Sequence, residues 1–218
     1  MASAPEASRA WLLIEHPGPW PHEPSDAVLP DLLRTVVDEA VELSIRVQLI
    51  RRPGARRTGD GVLVGWTAGS EPWLRRGSLS GGLNGLDLEE LAAGGPVAFG
   101  SSVSEPVFLV CGHAQRNACC ARFGGPLAQG LAARYPGQVF QTTHVGGHRF
   151  AANLVILPHG LYYGPVGLAE ATAAIGAYER GAVTPGRYRG RAGQPRPTQQ
   201  AEHEVLTRAG SLRVAALA

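Results

Sequence analysis

Cysteine and histidine are scarce in this chain, 3 and 7 residues respectively, yet two short runs bring them together. CGHAQRNACC carries Cys111 and Cys120 with an eight-residue spacer, and THVGGHRFAANLVILPHGLYYG carries His144 and His148. Two soft thiolate donors and two imidazoles, set among glycines, form a donor set suited to iron or zinc. Gly146 and Gly147, between the histidines, let the backbone fold closely round an inorganic group and present amides to it. Cys119 directly precedes Cys120 and competes with it for the same role.

These residues need elements to hold them, and one pattern of elements occurs twice. Apolar runs and periodicity predict a strand at 11–15, an amphipathic helix at 26–44, strands at 45–50, 61–67 and 73–79, and a short helix at 86–94. A strand at 105–111 restarts the order, followed by a helix at 118–134, strands at 138–143, 153–158 and 161–166, and a helix at 168–180. Both copies read βαβββα. A strand, crossover helix and parallel strand followed by an antiparallel hairpin gives a mixed sheet flanked by helices, the thioredoxin-like plan. The expected fold is therefore α/β, with two thioredoxin-like units at 1–104 and 105–218 joined near the Gly-rich stretch AAGGPVAFGSS. Cys111 falls at the carboxyl end of a strand and His144 after the next one. Open α/β sheets place ligand sites at those ends, so parallel neighbours would let the four donors converge. The tail is expected to run extended over 184–199, then to form a helix at EHEVLTRAG and an edge strand or lid at LRVAALA.

Composition narrows the function. With 218 residues and 44% hydrophobic content the chain can bury a core. The net charge is +2 and all 20 basic residues are Arg, a balance that gives no reason to expect nucleic-acid binding. The first residues hold a four-residue apolar run, too short for a signal-peptide core or a membrane span, so the cytoplasm is the expected compartment. Three clustered cysteines do not make the even framework of a secreted disulfide scaffold and point instead to ligand or redox roles.

The motifs CGHxxR before Cys120 and HxGGHRFAAN after it, with the WLLIEHPGPW opening and the late YRGRAG segment, resemble the sucrase/ferredoxin-like family. The run HVGGHRFAANLVILPHGLYYG is similar to the C-terminal signature of thioredoxin-like ferredoxins with both late cysteines replaced by histidine. The resemblance implies a 2Fe-2S cluster on Cys111, Cys120, His144 and His148, the early pair on one iron and the late pair on the other, in a Rieske-like division. Its eight-residue spacing selects Cys120 over Cys119. It also implies a reduction potential above that of plant-type ferredoxins, at about −400 mV, and one that falls as pH rises through the imidazole pKa of the oxidised state. A redox partner protein follows from such a role, and two chains associating through the N-terminal unit remains an open alternative. In the family an Asp commonly follows the Arg of the first motif; here Asn117 follows Arg116.

Around the four ligands, His113 reads either as a hydrogen-bonding support or as a surface residue, and Arg149 either as a charge facing an acidic partner or as part of a structural network. Asn153 is expected to support the loop backbone, and His159 reads as an exposed turn residue. Rival functions use the same side chains: a structural zinc site, which the long spacer disfavours, or a thiol-disulfide oxidoreductase, which lacks C-x-x-C. A carbohydrate hydrolase finds no placed carboxylate pair. An electron carrier rather than an enzyme is the expected function.

Overall fold

Apolar runs become central strands. In the computed structural model, which describes residues 3–54 and 59–217 and of His148 the backbone only, β1 (Ala10–Glu15) is buried along its whole length. Alternation with period two sends Leu12 and Ile14 to one face, against Leu33, Val37 and Leu49, and Trp11 and Leu13 to the other. The chain continues through α1 (Asp31–Glu42), β2 (Arg46–Arg51), β3 (Gly61–Trp66), β4 (Trp73–Ser78), α2 (Leu88–Ala93) and β5 (Ser101–Ser102). The order then repeats in β6 (Val107–Cys111), α3 (Ala118–Ala132), β7 (Val139–Thr142), β8 (Leu154–Leu157), β9 (Leu161–Tyr163) and α4 (Leu168–Glu179). It closes with β10 (Ala182–Val183), β11 (Tyr188–Arg191), α5 (Arg196–Ala209) and β12 (Leu212–Arg213).

Both halves pair their strands alike. β1 lies parallel to β2 with β3 and then β4 antiparallel beyond it, and β6 lies parallel to β7 with β8 and β9 beyond it. Where the sequence suggests one mixed sheet in each unit, a single mixed sheet of ten strands forms, in the order β11-β9-β8-β6-β7-β2-β1-β3-β4-β5. The seam is the antiparallel pair β2 and β7, at Ile50↔Thr142 and Arg51↔Gln141. α1 and α2 cover one face of the first half, α3 and α4 the matching face of the second. The other faces meet in a shared apolar layer in which Trp11, Leu13 and Leu63 pack with Leu109, Phe140 and Tyr162. Cys111 and Cys120 belong to that shared layer.

Differences from the sequence reading lie at element ends. Pro24 and Pro30 delay α1 to Asp31, since the segment after Pro24 makes only one 3-10 turn, Pro24–Asp26. The stretch 184–199 is not extended throughout: β11 adds an edge to the main sheet, and α5 already begins at Arg196, with proline accepted in its first turn. Leu212–Arg213 does form an edge strand, paired with Ala182–Val183 in a separate ribbon.

His159 is half-buried rather than an exposed turn residue, and its Nδ1 shares a 2.6 Å hydrogen bond with the Tyr178 hydroxyl. Burial, reinforced by the nearby Arg191 charge, holds its imidazole below the ordinary histidine value. Below a pH of about 6.5 the unfolded chain takes up a proton that the folded one refuses, so stability falls as pH falls through that value. His159→Gln is expected to flatten the loss of urea stability between about pH 7.5 and 5.5, by no more than about 1.4 kcal/mol per pH unit. Equal slopes in the two proteins would exclude His159 as a source of the pH dependence.

Candidate metal centre

Cys111 ends β6 in register with Thr142, which ends the parallel neighbour β7, so the chain leaves both strands at the same edge of the sheet. From Cys111 it turns through Gly112 to α3, whose amino end is capped by Asn117, the side-chain oxygen accepting from the Cys119 N–H at 2.9 Å. Asn serves as well as Asp in that position, which explains why the departure at Asn117 leaves the local structure whole. Gly124 then lets the helix lean on the strand end: a Cβ there would lie 1.9 Å from the Cys111 carbonyl oxygen. That close approach lays Cys120, in the first turn of α3, over Cys111. From β7, Thr143 leads to His144.

The three donors meet. Nδ1 of His144 lies 3.8 Å from the Cys111 sulfur and 3.9 Å from the Cys120 sulfur, and the three ligand atoms all fall within 4.8 Å of one another. Both thiols are fully buried. The His144 ring is half-buried and lines a cleft of about 410 Å³ together with His22, Arg46, Gln48 and Arg116. His148 starts a 3-10 turn, His148–Phe150, and its side chain lies outside the described residues. Cys119 is exposed, and all three cysteines are free.

The pair of sulfurs shares its charge unequally. A hydrogen bond from the Cys120 thiol, helped by His144 and by the amides of His113 and Val145, holds the Cys111 thiol far below its ordinary range against the cost of burial. Cys120, as the donor beside that thiolate, is pushed up. The two sulfurs are thus biased in opposite directions, Cys111 toward thiolate and Cys120 toward thiol.

The peptide of His144 is clamped on both sides. Its N–H donates to Nδ1 of His113 at 3.1 Å, and Nε2 of His113 in turn donates to the Pro21 carbonyl at 2.7 Å, which fixes a neutral tautomer. Burial favours the same neutral form. The carbonyl of His144 accepts from Arg46 at 3.1 Å and Gln48 at 3.4 Å, and Gln48 also accepts from the hydroxyls of Thr142 and Thr143. His113→Phe is expected to weaken metal retention about 10–100-fold, the usual effect of losing a partner that orients a ligand. It should also cost about 1–3 kcal/mol of stability through the orphaned amide and carbonyl. Metal content after dialysis against a chelator, with urea unfolding alongside, measures both, and an unchanged metal off-rate would assign His113 to packing alone.

The glycine turn is held from the far end of the chain. Gly146 and Gly147 take φ values of 93° and 69°, a region that favours glycine. A Cβ on Gly147 would lie 2.2 Å from the Arg189 guanidinium. Asn153 donates to the Gly147 carbonyl at 3.1 Å, while its oxygen accepts from Arg189, which also binds Ser3 through Nε and Nη2. Burial lowers Arg189 to about 10, which leaves it a cation at neutral pH.

The model of the family described as sucrase/ferredoxin-like matches residues 2–190. The chain belongs to the sucrase/ferredoxin-like family. A curated relative, altered inheritance of mitochondria protein 32 from Eremothecium gossypii, is 28% identical over 114 residues, which cover 45% of this chain and 36% of the relative. The chain thus matches little more than a third of that relative's length. No solved structure matches the chain significantly.

In this sucrase/ferredoxin-like chain the half without the Cys and His set differs at one telling position. β1 ends on Glu15, where β6 ends on Cys111, and Glu15 is buried and paired with Arg76 at 3.1 Å and Arg52 at 3.8 Å. An ion pair fills the place of a ligand there. Other residues from the sequence reading separate by location: His113 is a buried support, whereas Arg149 is exposed and stacks over Phe150 at 5.1 Å. Arg46, Gln48 and Arg189 were not foreseen as supports. Arg189 sits in the YRGRAG segment that carries part of the family resemblance, which was the available signal. Among the described residues no helix is long and apolar enough to cross a membrane.

Proposed function

We propose that this sucrase/ferredoxin-like chain is a one-electron carrier that holds a 2Fe-2S cluster on Cys111, Cys120, His144 and His148. The observation that carries the reading is the convergence, at one sheet edge, of two buried thiols from the end of β6 and the first turn of α3 with the Nδ1 of His144 from the loop after β7. The donor set fits such a group: one sulfur is already biased toward thiolate, and the amides of His113 and Val145 favour negative charge there. Two buried donors in the same layer as the thiols, Trp11 Nε1 and the Tyr162 hydroxyl, have no hydrogen-bond partner among the described residues and would suit a group rich in acceptors. The strand orders β2-β1-β3-β4 and β7-β6-β8-β9 support a reading as two thioredoxin-like units with the centre in the second.

When bound, the cluster supplies a one-electron couple. The protein's own groups set its conditions. Trp11, Phe140 and Tyr162 exclude water from the sulfur side, while His144 lines the polar cleft. Ligation through Nδ1 leaves Nε2 of His144 as the atom that can hold or release a proton, which would couple proton uptake to reduction. Arg46 and Gln48 keep the ring in place during that change through the His144 carbonyl.

A structural zinc ion is the second reading, and a distance favours it. Zinc to sulfur at about 2.3 Å and to nitrogen at about 2.0–2.1 Å gives a tetrahedral edge of about 3.6 Å. The observed 3.8 and 3.9 Å are close to that edge. Anaerobic purification with an absorption spectrum, and iron, acid-labile sulfide and zinc assayed on one sample, decides between the two. About two irons and two sulfides per chain with a red-brown colour is the expected result. One zinc in a colourless protein would replace the carrier by a structural site.

A further inference from the structure

An apolar groove of about 570 Å³, which shares no lining residue with the His144 cleft, is bounded by α3, the start of α4 and residues 151–152. Phe123 and Leu168, two of the few large apolar side chains that are exposed at 49% and 37%, stand over it with Pro126 and Pro165. Ala151, which follows directly on the His148–Phe150 turn, forms part of its wall. Phe123 follows Cys120 by one helical turn of α3, about 4.5 Å along the axis at 1.5 Å per residue. A protein seated here would therefore touch α3 one turn beyond Cys120 and the chain directly after the His148–Phe150 turn.

Charge distinguishes the groove from the polar cleft. In the cleft, Arg116 is already paired with Glu23 and hydrogen-bonded to His22. Around the groove, Arg187 lines the wall, Arg122 stacks 5.5 Å from the Phe123 ring, and Arg149 stands two residues before Ala151; all three are exposed. None of the three has an ion-pair partner among the described residues, and the one carboxylate of the lining, Glu170, is held by the Gly167 amide at the start of α4. An apolar centre rimmed by unpaired cations is complementary to an apolar patch rimmed by carboxylates.

The geometry points to this groove as the docking surface for the acidic face of a redox partner protein, with Phe123 and Leu168 as the apolar anchor and Arg122, Arg149 and Arg187 as the steering charges. The inference rests on the electron-carrier reading, and its test separates the two. Stopped-flow reduction of the full-length holoprotein uses two reductants: reduced flavodoxin, an acidic protein, and photoreduced deazariboflavin, which is small and uncharged. In the triple variant R122E/R149E/R187E, reduction by flavodoxin at low salt should slow about tenfold or more, with the difference shrinking at high salt, while the deazariboflavin rate stays unchanged. F123A should slow the flavodoxin reaction at all salt concentrations. A control triple with the same charge change away from the groove, R134E/R208E/R213E, should slow it far less. Equal losses in the two triples, or a wild-type cluster that deazariboflavin reduces and flavodoxin does not, would overturn the docking site. A protein that holds no cluster would end the carrier reading alone; titration calorimetry of flavodoxin against the wild type and both triples then tests the docking, and equal affinities would overturn it.

Discussion

Cys111→Ser and Cys120→Ser are each expected to lose at least about nine-tenths of the bound metal, while Cys119→Ser keeps it. Both buried thiols lie in an apolar layer with Leu109, Phe140 and Val145, and a hydroxyl there neither ionises nor binds soft metal well. Losing a mere support for a ligand typically costs 10–100-fold in affinity, so losing a ligand should cost more. Serine is nearly isosteric with cysteine, so the metal-free variants should fold as the metal-free wild type does, and comparing metal-free melting temperatures separates loss of ligation from loss of fold. Cys119 and Cys120 project about 100° apart round α3, at 3.6 residues per turn, and only Cys120 faces the Cys111 sulfur. Metal retained in Cys120→Ser and lost in Cys119→Ser would reverse the assignment and require the first turn of α3 to rotate.

The repeated βαβββα order was legible because its central strands are continuous apolar runs, as in β1 and β6. The joining of the two halves into one sheet was not. The seam between β2 and β7 rests on two residue pairs, and nothing local to IRVQLI or QVFQTT marks either strand as an inner neighbour of the other. The early start of α5 was hidden by Pro195 and Pro197, which read as breakers yet sit at its cap and in its first turn. At the centre, residue type drew attention to the two Cys and His runs, because few residues bind soft metals and the chain has few of them, but it left Cys119 and Cys120 as alternatives that only the spacing of the family resemblance separated; the structure brings Cys111, Cys120 and His144 together. The clamps could not be read the same way. Arg46 lies 98 residues from His144 and looks like any polar residue entering a strand, and Arg189 reaches Asn153 only because β11 is placed on the sheet edge beside β9. Supports of this kind depend on tertiary pairing, which single-sequence periodicity does not encode.

His144→Cys tests the chemistry rather than the location of the centre. Because Nδ1, the nitrogen nearer the backbone, faces the sulfurs, a cysteine at the same position shortens the reach by only about one bond, and the longer metal–sulfur distance recovers part of it. His113, Arg46 and Gln48 hold the peptide of residue 144 through its backbone, so the clamp survives the substitution. A cluster should therefore still assemble. The new thiolate adds a negative charge that stabilises the oxidised state, and the potential should fall by about 100 mV or more toward the range of all-cysteine clusters near −400 mV. The imidazole at position 144 is also lost as a titrating group. In the wild type the potential should drop as pH rises above the histidine pKa of the oxidised form, by about 59 mV per pH unit where one proton accompanies the electron. In the variant that region should narrow to what His148 alone supplies. Protein-film voltammetry across pH 6 to 10 reads both effects at once. An unchanged potential with an unchanged slope would remove His144 from the ligand set, whatever the metal proves to be, and the absence of any redox response in a zinc-loaded wild type would leave the same variant as a tighter, sulfur-rich zinc site.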